Sequence, residues 1–355
     1  MIKILHTADW HLDSPLNTAN ASQARLLRDA LAQIPGKIAA ICKAQGCDLV
    51  LLPGDLLDGA HSAGTLENLK EALREMAVPV FITPGNHDFV STNSPWANEV
   101  FPENVHIFKK PAMESVALPQ LDCRVYGAGF SSMDCDSLLQ GFVAEQEEKY
   151  AIGILHGDPT QVSSPYCPIT TAQVAASNLD YLALGHIHKG GSFRAGKTLC
   201  AWPGCPMGRG YDEEGEKGVL IVTLDEGAST RFIPLDTPRF YDLDVEAGED
   251  AKAALAAVLP PVGNGDFYRI TFTGTSEPLT LEMFYDPAFP NLLLRDKTVP
   301  PVDIWSGADT DTFEGMYFHR LKEALDSADE DTARQIRLAA QISRKILDGQ
   351  EVVLP

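Results

Sequence analysis

Short apolar runs alternate with longer helical patterns from the N-terminus to about residue 236. This rhythm is typical of strand-helix-strand units, in which helices cover a β-sheet. The segment therefore predicts an α/β fold. The apolar runs predict strands at residues 2–5, 49–52, 78–82, 151–155, 181–184 and 219–222.

The pattern changes near Thr237 and Pro238. Further on, it predicts strands at 241–245, 267–273 and 292–295 and a helix at 251–258, typical of a small second α/β unit. Prolines 300 and 301 predict a linker. We therefore predict three regions, with boundaries at 1–236, 237–302 and 303–355.

The last region, 303–355, has the spacing of helices. Two apolar stripes with a period close to four residues predict two helices, and Ser327 with Glu330 forms a candidate capping box for the second. Such stripes either pack against each other or dock a partner, and the pattern leaves both open. The stripes consist of Phe313, Tyr317, Leu321 and Leu325, and of Ile336, Ala340, Ser343 and Leu347.

Each of the first five predicted strands runs into a short segment of polar residues, and four of these segments contain a glycine next to a polar residue. Ligands bind outside the carboxyl ends of strands in open α/β sheets, so groups distant in sequence can meet there. Glycine permits the sharp turns and close approach that such a site needs. The polar residues are Asp9 and His11; Asp55 and Asp58; Asn86, His87 and Asp88; His156 and Asp158; His186 and His188.

A mixed set of carboxylate, amide and imidazole groups suits divalent cations of intermediate character, such as Mn²⁺, Fe²⁺ or Zn²⁺. The set is too large for one ion, whereas two ions that share one carboxylate can use it, and Asp55 is the natural bridge. A two-metal site of this kind predicts phosphoester hydrolysis. The candidate ligands are Asp9, His11, Asp55, Asn86, His156, His186 and His188.

His87 follows the candidate ligand Asn86 and would be redundant as an eighth ligand. We therefore assign it to polarising the phosphate or protonating the leaving oxygen. Its neighbour Asp88 is a candidate to orient the imidazole, and a solvated loop aspartate is the alternative. Histidines 6, 61, 106 and 319 lack a strand-end context and are interpreted as structural or exposed.

The order of these motifs resembles that of the calcineurin-like metallophosphoesterases. The matching stretches are Asp9-Trp10-His11, Gly54-Asp55, Gly85-Asn86-His87-Asp88, His156 and Gly185-His186-Ile187-His188. The resemblance implies a β-sandwich flanked by helices in four αββα layers. It also implies that Asp9, His11, Asp55 and His188 hold one ion, and that Asp55, Asn86, His156 and His186 hold the other.

The opening stretch HTADWHLDSPL resembles more narrowly the SbcD-type DNA nucleases, which include YhaO-like members. The stretch WPGCPMGRG, residues 202–210, is similar to the loop that follows the last histidines in that family. This resemblance implies a DNA exonuclease or endonuclease of DNA repair, a preference for Mn²⁺, a DNA-capping domain at 237–302, and a coiled-coil SMC-like ATPase partner of SbcC type. A homodimer is left open. Asp58 stands where some members have a second histidine.

The composition limits the class of protein. Of the 355 residues, 45% are hydrophobic and 22% charged, which is typical of a globular protein, and no apolar run approaches the length of a membrane span. The seven cysteines form no C-x-x-C pair, and their odd number favours a reduced compartment. We therefore expect a cytoplasmic protein.

The net charge of −21 means that the average surface repels polyanions. DNA would need local cations, and the candidates are Lys189, Arg194, Lys197 and Arg209, which alternatively form an ordinary basic loop. The acidic surface favours a rival function, hydrolysis of small phosphodiesters or phosphomonoesters. A structural metal site in a scaffold protein of an ATPase complex is a second rival, which the complete ligand set disfavours because structural sites keep no open catalytic position.

Overall fold

The computed structural model of the chain describes residues 1–16, 21–145, 147–301 and 303–349. Within these residues the strands are β1 (Ile2–His6), β2 (Leu49–Pro53), β3 (Val80–Thr83), β4 (Val105–Ile107), β5 (Glu114–Leu118), β6 (Cys123–Ala128), β7 (Tyr150–His156), β8 (Tyr181–Gly185), β9 (Lys189–Ala195), β10 (Thr198–Gly204), β11 (Gly218–Leu224), β12 (Ala228–Pro234), β13 (Phe240–Glu246), β14 (Phe267–Thr273) and β15 (Leu292–Asp296). The helices are α1 (Ala21–Ala32), α2 (Ile34–Gln45), α3 (Ala63–Met76), α4 (Pro95–Asn98), α5 (Thr171–Ala176), α6 (Ala251–Val258), α7 (Phe313–Asp326) and α8 (Glu330–Leu347).

Every strand predicted from the apolar runs is present, and the predicted helix at 251–258 coincides with α6. The strands that the pattern missed include β5, β9 and β12, which lie at sheet edges and carry exposed polar residues. An edge strand with one solvated face has no continuous apolar run, so the hydrophobic pattern does not reveal it.

Most strands form two six-stranded sheets. Their orders are β12-β11-β1-β2-β3-β4 and β5-β6-β7-β8-β10-β9. In the first sheet β1, β2 and β3 are parallel neighbours, and in the second β6, β7 and β8 are. The five strands that end in polar motifs are therefore divided between the two sheets, three in one and two in the other.

Alternate residues of the central strands face different cores. Ile4, Leu49 and Leu51 belong to the core between the two sheets. Leu5, Val50 and Leu52 instead pack in a core that contains side chains of α1, α2 and α3. Burial on both faces explains why these strands are continuous apolar runs in the sequence.

The outer face of the second sheet is covered mainly by loops. Its core combines Leu182 and Cys200 of the sheet with Val174 of the short helix α5 and with the loop residues Phe130 and Leu139. The mixed α/β fold with two stacked sheets and outer layers is therefore confirmed. The fourth layer contains less helix than the αββα description suggests.

His6 connects the two sheets from within the central core. Its Nδ1 lies 2.7 Å from Tyr181 Oη, and its Nε2 lies 3.0 Å from the Leu184 carbonyl oxygen, both on β8. Burial lowers the pKa of His6 to about 3, so the imidazole is neutral at ordinary pH. The interpretation of His6 as structural agrees with these contacts.

The chain divides into two compact units. The first contains Met1–Leu243, Pro260–Ile270 and Asp286–Leu294, and the second contains Asp244–Leu259, Thr271–Tyr285 and Arg295–Pro355. A third sheet has the order β13-β14-β15. The three-region division at 1–236, 237–302 and 303–355 remains a prediction, and its boundary residue 302 and the tail 350–355 lie outside the described residues.

The two C-terminal helices are present, and α7 and α8 pack together in the second unit. Phe318 and Ala340 are buried between them, and the Arg344 guanidinium lies 4.1 Å from the centre of the Phe318 ring. Phe313, from the predicted stripe, is 85% exposed. The predicted capping box is wrong, because Asp329 is the N-cap and accepts a hydrogen bond from the Thr332 amide.

Candidate metal centre

The loops after β1, β2, β3, β7 and β8 meet at one edge of the two stacked sheets. The sheets approach each other so closely there that a Cβ at Gly185 would lie 2.0 Å from the Pro53 carbonyl oxygen. A Cβ at Gly54 would lie 2.4 Å from His156 Nδ1. These two glycines therefore permit the contact that brings both sets of loops to a common centre.

Four candidate ligands adopt left-handed backbone conformations, which are unfavourable for residues with a side chain. The φ angles are 56° at Asp9, 46° at His11, 53° at Asp55 and 95° at His186. Strain of this kind persists where the surrounding structure enforces it, and it concentrates at functional sites. The local backbone is thus arranged to direct these side chains inward.

One group of donors comes from the loops after β1 and β8. Ligand atoms of Asp9, His11 and His188 lie within 4.8 Å of one another. The two Nε2 atoms of His11 and His188 are 3.1 Å apart. The Asp9 carboxylate also accepts a hydrogen bond of 2.9 Å from the His186 backbone N–H, which fixes its position across the two sheets.

A second group of donors surrounds the Asn86 amide oxygen. His156 Nε2 lies 2.9 Å and His186 Nδ1 lies 3.2 Å from Asn86 Oδ1. His156 Nδ1 donates to the Pro53 carbonyl oxygen at 3.0 Å, so Nε2 is the ring nitrogen that faces the centre and could bind an ion.

Asp55 lies between the two groups. Its Oδ2 is 3.8 Å from His11 Nε2 and 3.4 Å from His156 Nε2. Burial opposes ionisation, but His156 and His11 favour it and hold the pKa of Asp55 well below its usual range. A buried carboxylate with donors on both sides has the position that a bridging ligand needs.

The pKa values of two histidines near Asp55 are shifted in opposite directions. Burial lowers the pKa of His156, but Asp55 and Asp9 outweigh it and raise that pKa to about 9. Burial and the neighbouring His156 lower the pKa of His186 to about 4. The raised pKa of His156 reflects the attraction of positive charge by the buried carboxylates of Asp55 and Asp9.

The donors fit two divalent cations. The Nε2 atoms of His11 and His188 face each other at 3.1 Å, and a cation between them would accept the lone pair of each. Buried carboxylates of Asp9 and Asp55 need compensating positive charge. Cations among these groups satisfy both requirements, and the mixed oxygen and nitrogen set suits Mn²⁺, Fe²⁺ or Zn²⁺.

Asp88 does not contact the His87 imidazole, which corrects the expected orienting role. Its carboxylate accepts backbone hydrogen bonds from Gly85 at 2.7 Å and from Leu56 at 2.9 Å. Burial and the nearby Asp55 raise the pKa of Asp88 to about 7. Asp88 therefore ties the loop after β2 to the loop after β3.

The carboxylate that contacts His87 is Asp58. His87 Nδ1 lies 2.7 Å from Asp58 Oδ1, and this hydrogen bond raises the pKa of His87. The spacing of three residues after Asp55 was visible in the sequence, but the pairing with His87 was not. Asp58 also lies 3.8 Å from Arg209 Nη1, so it links the histidine to a cation.

Arg209 and Glu213 enter the centre from the loop between β10 and β11. Arg209 Nη2 donates to Glu213 Oε1 at 3.0 Å, and Glu213 Oε1 lies 2.6 Å from His188 Nδ1. Sequence reasoning missed Glu213, because it belongs to the acidic run at 212–216, which is typical of a solvated loop. Only the structure distinguishes it from its exposed neighbours.

The other three candidate DNA contacts are distributed along the β9–β10 hairpin. Lys189 and Lys197 lie at opposite ends of the β9–β10 hairpin, about 25 Å apart by strand geometry. Lys197 Nζ lies 3.1 Å from Asp180 Oδ1, and Arg194 donates to the Ala228 carbonyl oxygen. The hairpin therefore separates Lys197 from Lys189, and a role of these residues in DNA binding remains a prediction.

Comparison with known proteins identifies the family. Residues 2–190, more than half of the chain, match the model of the calcineurin-like phosphoesterases. The chain belongs to this family. The resemblance drawn from the strand-end motifs is confirmed: the protein is a metallophosphoesterase, a hydrolase of phosphoesters, and such enzymes use dimetal centres.

Relatives of this metallophosphoesterase include two bacterial proteins. It is 31% identical to the uncharacterized metallophosphoesterase YhaO of Bacillus subtilis, over 64% of this chain and 58% of that relative. The match therefore spans somewhat more than half the length of YhaO. Identity to the SbcD component of the SbcCD nuclease of Staphylococcus epidermidis is 21%, over 94% of this chain and 98% of that relative.

Among solved structures, the metallophosphoesterase is similar to a dimetal phosphatase from Danio rerio. The TM-score is 0.43 at 12% identity, and the similarity covers 65% of this chain and 95% of that one. In the part of the chain that the structure describes, no helix is both long and apolar enough to cross a membrane.

Proposed function

We propose that this metallophosphoesterase is a two-metal phosphodiesterase that hydrolyses DNA phosphodiester bonds, as an SbcD-like exonuclease or endonuclease of DNA repair in the cytoplasm. Asp9, His11, Asp55 and His188 would hold one ion, and Asp55, Asn86, His156 and His186 the other. Two such ions, Mn²⁺ in preference, would lower the pKa of a bound water and would offset phosphate charge.

His87 supplies the proton for the leaving oxygen in this proposal. Its side chain is 45% exposed, whereas the candidate ligands are buried or half-buried, so it remains accessible to a substrate. The Asp58 carboxylate favours the protonated imidazole through its hydrogen bond to Nδ1. The other ring nitrogen, Nε2, can then donate its proton to an alkoxide leaving group.

Arg209 is the candidate contact for the phosphate itself. Its guanidinium is held by Glu213 and by a hydrogen bond of 3.3 Å to Ser14 Oγ, and its Nε–H is buried without a partner. A preorganised cation beside the two ion positions stabilises negative charge that develops on a phosphate. Lys189 directly follows the candidate ligand His188, at the start of β9, and is the second candidate.

The preference for DNA as substrate is carried by one observation. The similarity to the SbcD component of the staphylococcal nuclease extends over 94% of this chain and so includes the region beyond the phosphoesterase match. In this proposal the 237–302 region caps DNA and the helices of 303–355 dock a coiled-coil SMC-like ATPase of SbcC type. The partner ATPase would supply cations that the acidic surface lacks.

The net charge of −21 favours one rival, a phosphodiesterase or phosphatase for small molecules. A single phosphate needs only the local cations of the centre, whereas a duplex runs past many surface carboxylates. If the protein instead hydrolyses small molecules, the 237–302 region would shape a pocket for the substrate.

One experiment separates the two functions. The protein with Mn²⁺ is offered duplex DNA, single-stranded DNA and a nitrophenyl phosphodiester in parallel, with and without the candidate ATPase. We expect DNA cleavage that the ATPase stimulates. Cleavage of the small diester with no DNA cleavage under either condition would favour the rival, and no hydrolysis of any substrate would contradict both.

A further inference from the structure

The loop between β10 and β11 folds back and directs one carboxylate inward. A Cβ at Gly208 would lie 2.6 Å from the Glu213 carbonyl oxygen, and the Glu213 amide donates to the Gly210 carbonyl oxygen at 3.1 Å. Glu213 is only 8% exposed, whereas the adjacent Glu214 is exposed. The fold of this loop therefore selects Glu213 for burial out of an acidic run.

Both carboxylate oxygens of Glu213 are engaged. Oε1 lies 2.6 Å from His188 Nδ1 and 3.0 Å from Arg209 Nη2. Oε2 accepts the backbone N–H of Arg209 at 2.8 Å. The positive charge of Arg209 offsets the cost of burying the Glu213 carboxylate.

These contacts determine which nitrogen of His188 carries the proton. Two groups compete for His188 Nδ1: Arg209 Nη2, which only donates, lies 3.4 Å away, and Glu213 Oε1 lies closer, at 2.6 Å. An ionised carboxylate only accepts, so the close contact to Glu213 requires a hydrogen on Nδ1. The lone pair of His188 is therefore on Nε2, which faces His11 Nε2 at 3.1 Å inside the centre.

We propose that Glu213 is a positioning residue for the metal ion that His188 helps to hold. It fixes the tautomer and the ring orientation of His188, and its negative charge increases the basicity of the ligating Nε2. The inference rests on the proposed two-metal function. It assigns to the loop at 208–213 a role in the affinity of one ion and none in the affinity of the other.

Three substitutions test this role. Glu213→Gln keeps the size of the side chain but replaces one acceptor oxygen with an NH₂ donor. In one orientation this NH₂ faces the donors on His188 and Arg209 Nη2, and in the other it faces the Arg209 backbone N–H. Glu213→Asp keeps the charge on a shorter side chain and is the conservative variant for rescue. Glu214→Gln is the matched control, since it removes the same charge one residue away on the exposed surface.

Mn²⁺ binding gives the first readout, measured by calorimetry and by the electron paramagnetic resonance signal of free Mn²⁺. We expect wild type and Glu214→Gln to bind two ions. Glu213→Gln should lower the affinity for one ion by about 10- to 100-fold and leave the affinity for the other ion near its wild-type value. Glu213→Asp should recover part of the loss.

The tautomer of His188 in the metal-free protein is the second readout. Nitrogen chemical shifts of the ¹⁵N-labelled imidazole should report a hydrogen on Nδ1 in wild type and a mixture in Glu213→Gln. Thermal unfolding of each metal-free variant checks that the fold is retained, and Glu213→Asp carries the test if Glu213→Gln does not fold.

The possible failures are distinct. A wild-type protein that binds fewer than two ions would contradict the proposed function and this inference with it. Wild-type affinity and tautomer in a folded Glu213 variant would overturn the inference alone. An equal weakening of both ions, or a loss that Glu214→Gln reproduces, would also overturn it.

Discussion

His87 Nδ1 lies 2.7 Å from Asp58 Oδ1, although the two residues belong to loops that follow different strands. The Asp58 side chain is 16% exposed and the His87 side chain 45%. A largely buried acceptor thus holds an imidazole whose other side remains open to solvent. This arrangement separates His87 from the candidate ligands, all of which are more deeply buried.

His87→Ala should keep both metal ions and lose hydrolysis of DNA by a factor of roughly 10² to 10⁴, the usual contribution of a positioned proton donor. Metal content by elemental analysis and single-turnover cleavage rates would measure this. The penalty should shrink for a nitrophenyl diester, because nitrophenolate leaves without protonation. A variant that loses an ion would instead make His87 a ligand.

Asp58→Asn should reduce hydrolysis less than His87→Ala, because the amide still accepts a hydrogen bond but no longer favours the protonated imidazole. In the double variant the two losses should not add, since both act through one proton donor. The rates of the four proteins measure this coupling. Fully additive losses would contradict the pairing and leave Asp58 with a separate role.

Asp55→Ala should abolish the binding of both metal ions together with hydrolysis, because the carboxylate lies between the two donor groups. Elemental analysis of the purified variant tests this. Asp134→Ala, which changes an exposed aspartate, is the control and should retain two ions. Two ions per chain in Asp55→Ala would show that the carboxylate does not bridge.

Lys189→Gln should weaken DNA binding and reduce the slope of log affinity against log salt by about 0.9 for one lost duplex contact. Lys197→Gln is the matched control at the far end of the same hairpin and should leave the slope unchanged. Binding titrations across a range of salt concentrations measure both slopes. Equal effects of the two substitutions would contradict a selective role of Lys189.

The buried His6 should make the protein less stable as the pH falls. Its pKa is about 3 in the folded protein and 6.5 in the unfolded chain, so between these values only the unfolded chain binds the proton. Each pH unit in this window lowers the free energy of unfolding by about 1.4 kcal/mol, or about 2 kcal/mol by pH 5.

Chemical denaturation at pH 7 and pH 5 would measure this effect in wild type and in His6→Gln. The variant should be less stable at pH 7, because it loses the contacts to Tyr181 and Leu184. Its stability should fall less between the two pH values, and titrations of other groups cancel in the comparison. An equal fall in both proteins would contradict the assignment.

The sequence by itself determined the strands that carry the site and the chemistry at their ends. Continuous apolar runs such as Leu49–Pro53 reveal a strand buried on both faces, and the polar residues that follow mark where it ends. The prediction of Asp9, His11, Asp55, Asn86, His156, His186 and His188 as ligands needed only this local information. The structure brings all seven side chains to one centre, where their role as ligands remains a proposal.

Only the tertiary structure decided how these ends are combined. Apolar periodicity shows that a strand is buried, but not to which sheet it belongs. The pattern therefore could not predict that the site is divided between two stacked sheets. The contacts of His87 with Asp58 and of His188 with Glu213 join residues 29 and 25 positions apart. Such pairings depend on which charged side chains the loops bury and which remain exposed to water. Tertiary packing determines this, and residue type alone does not.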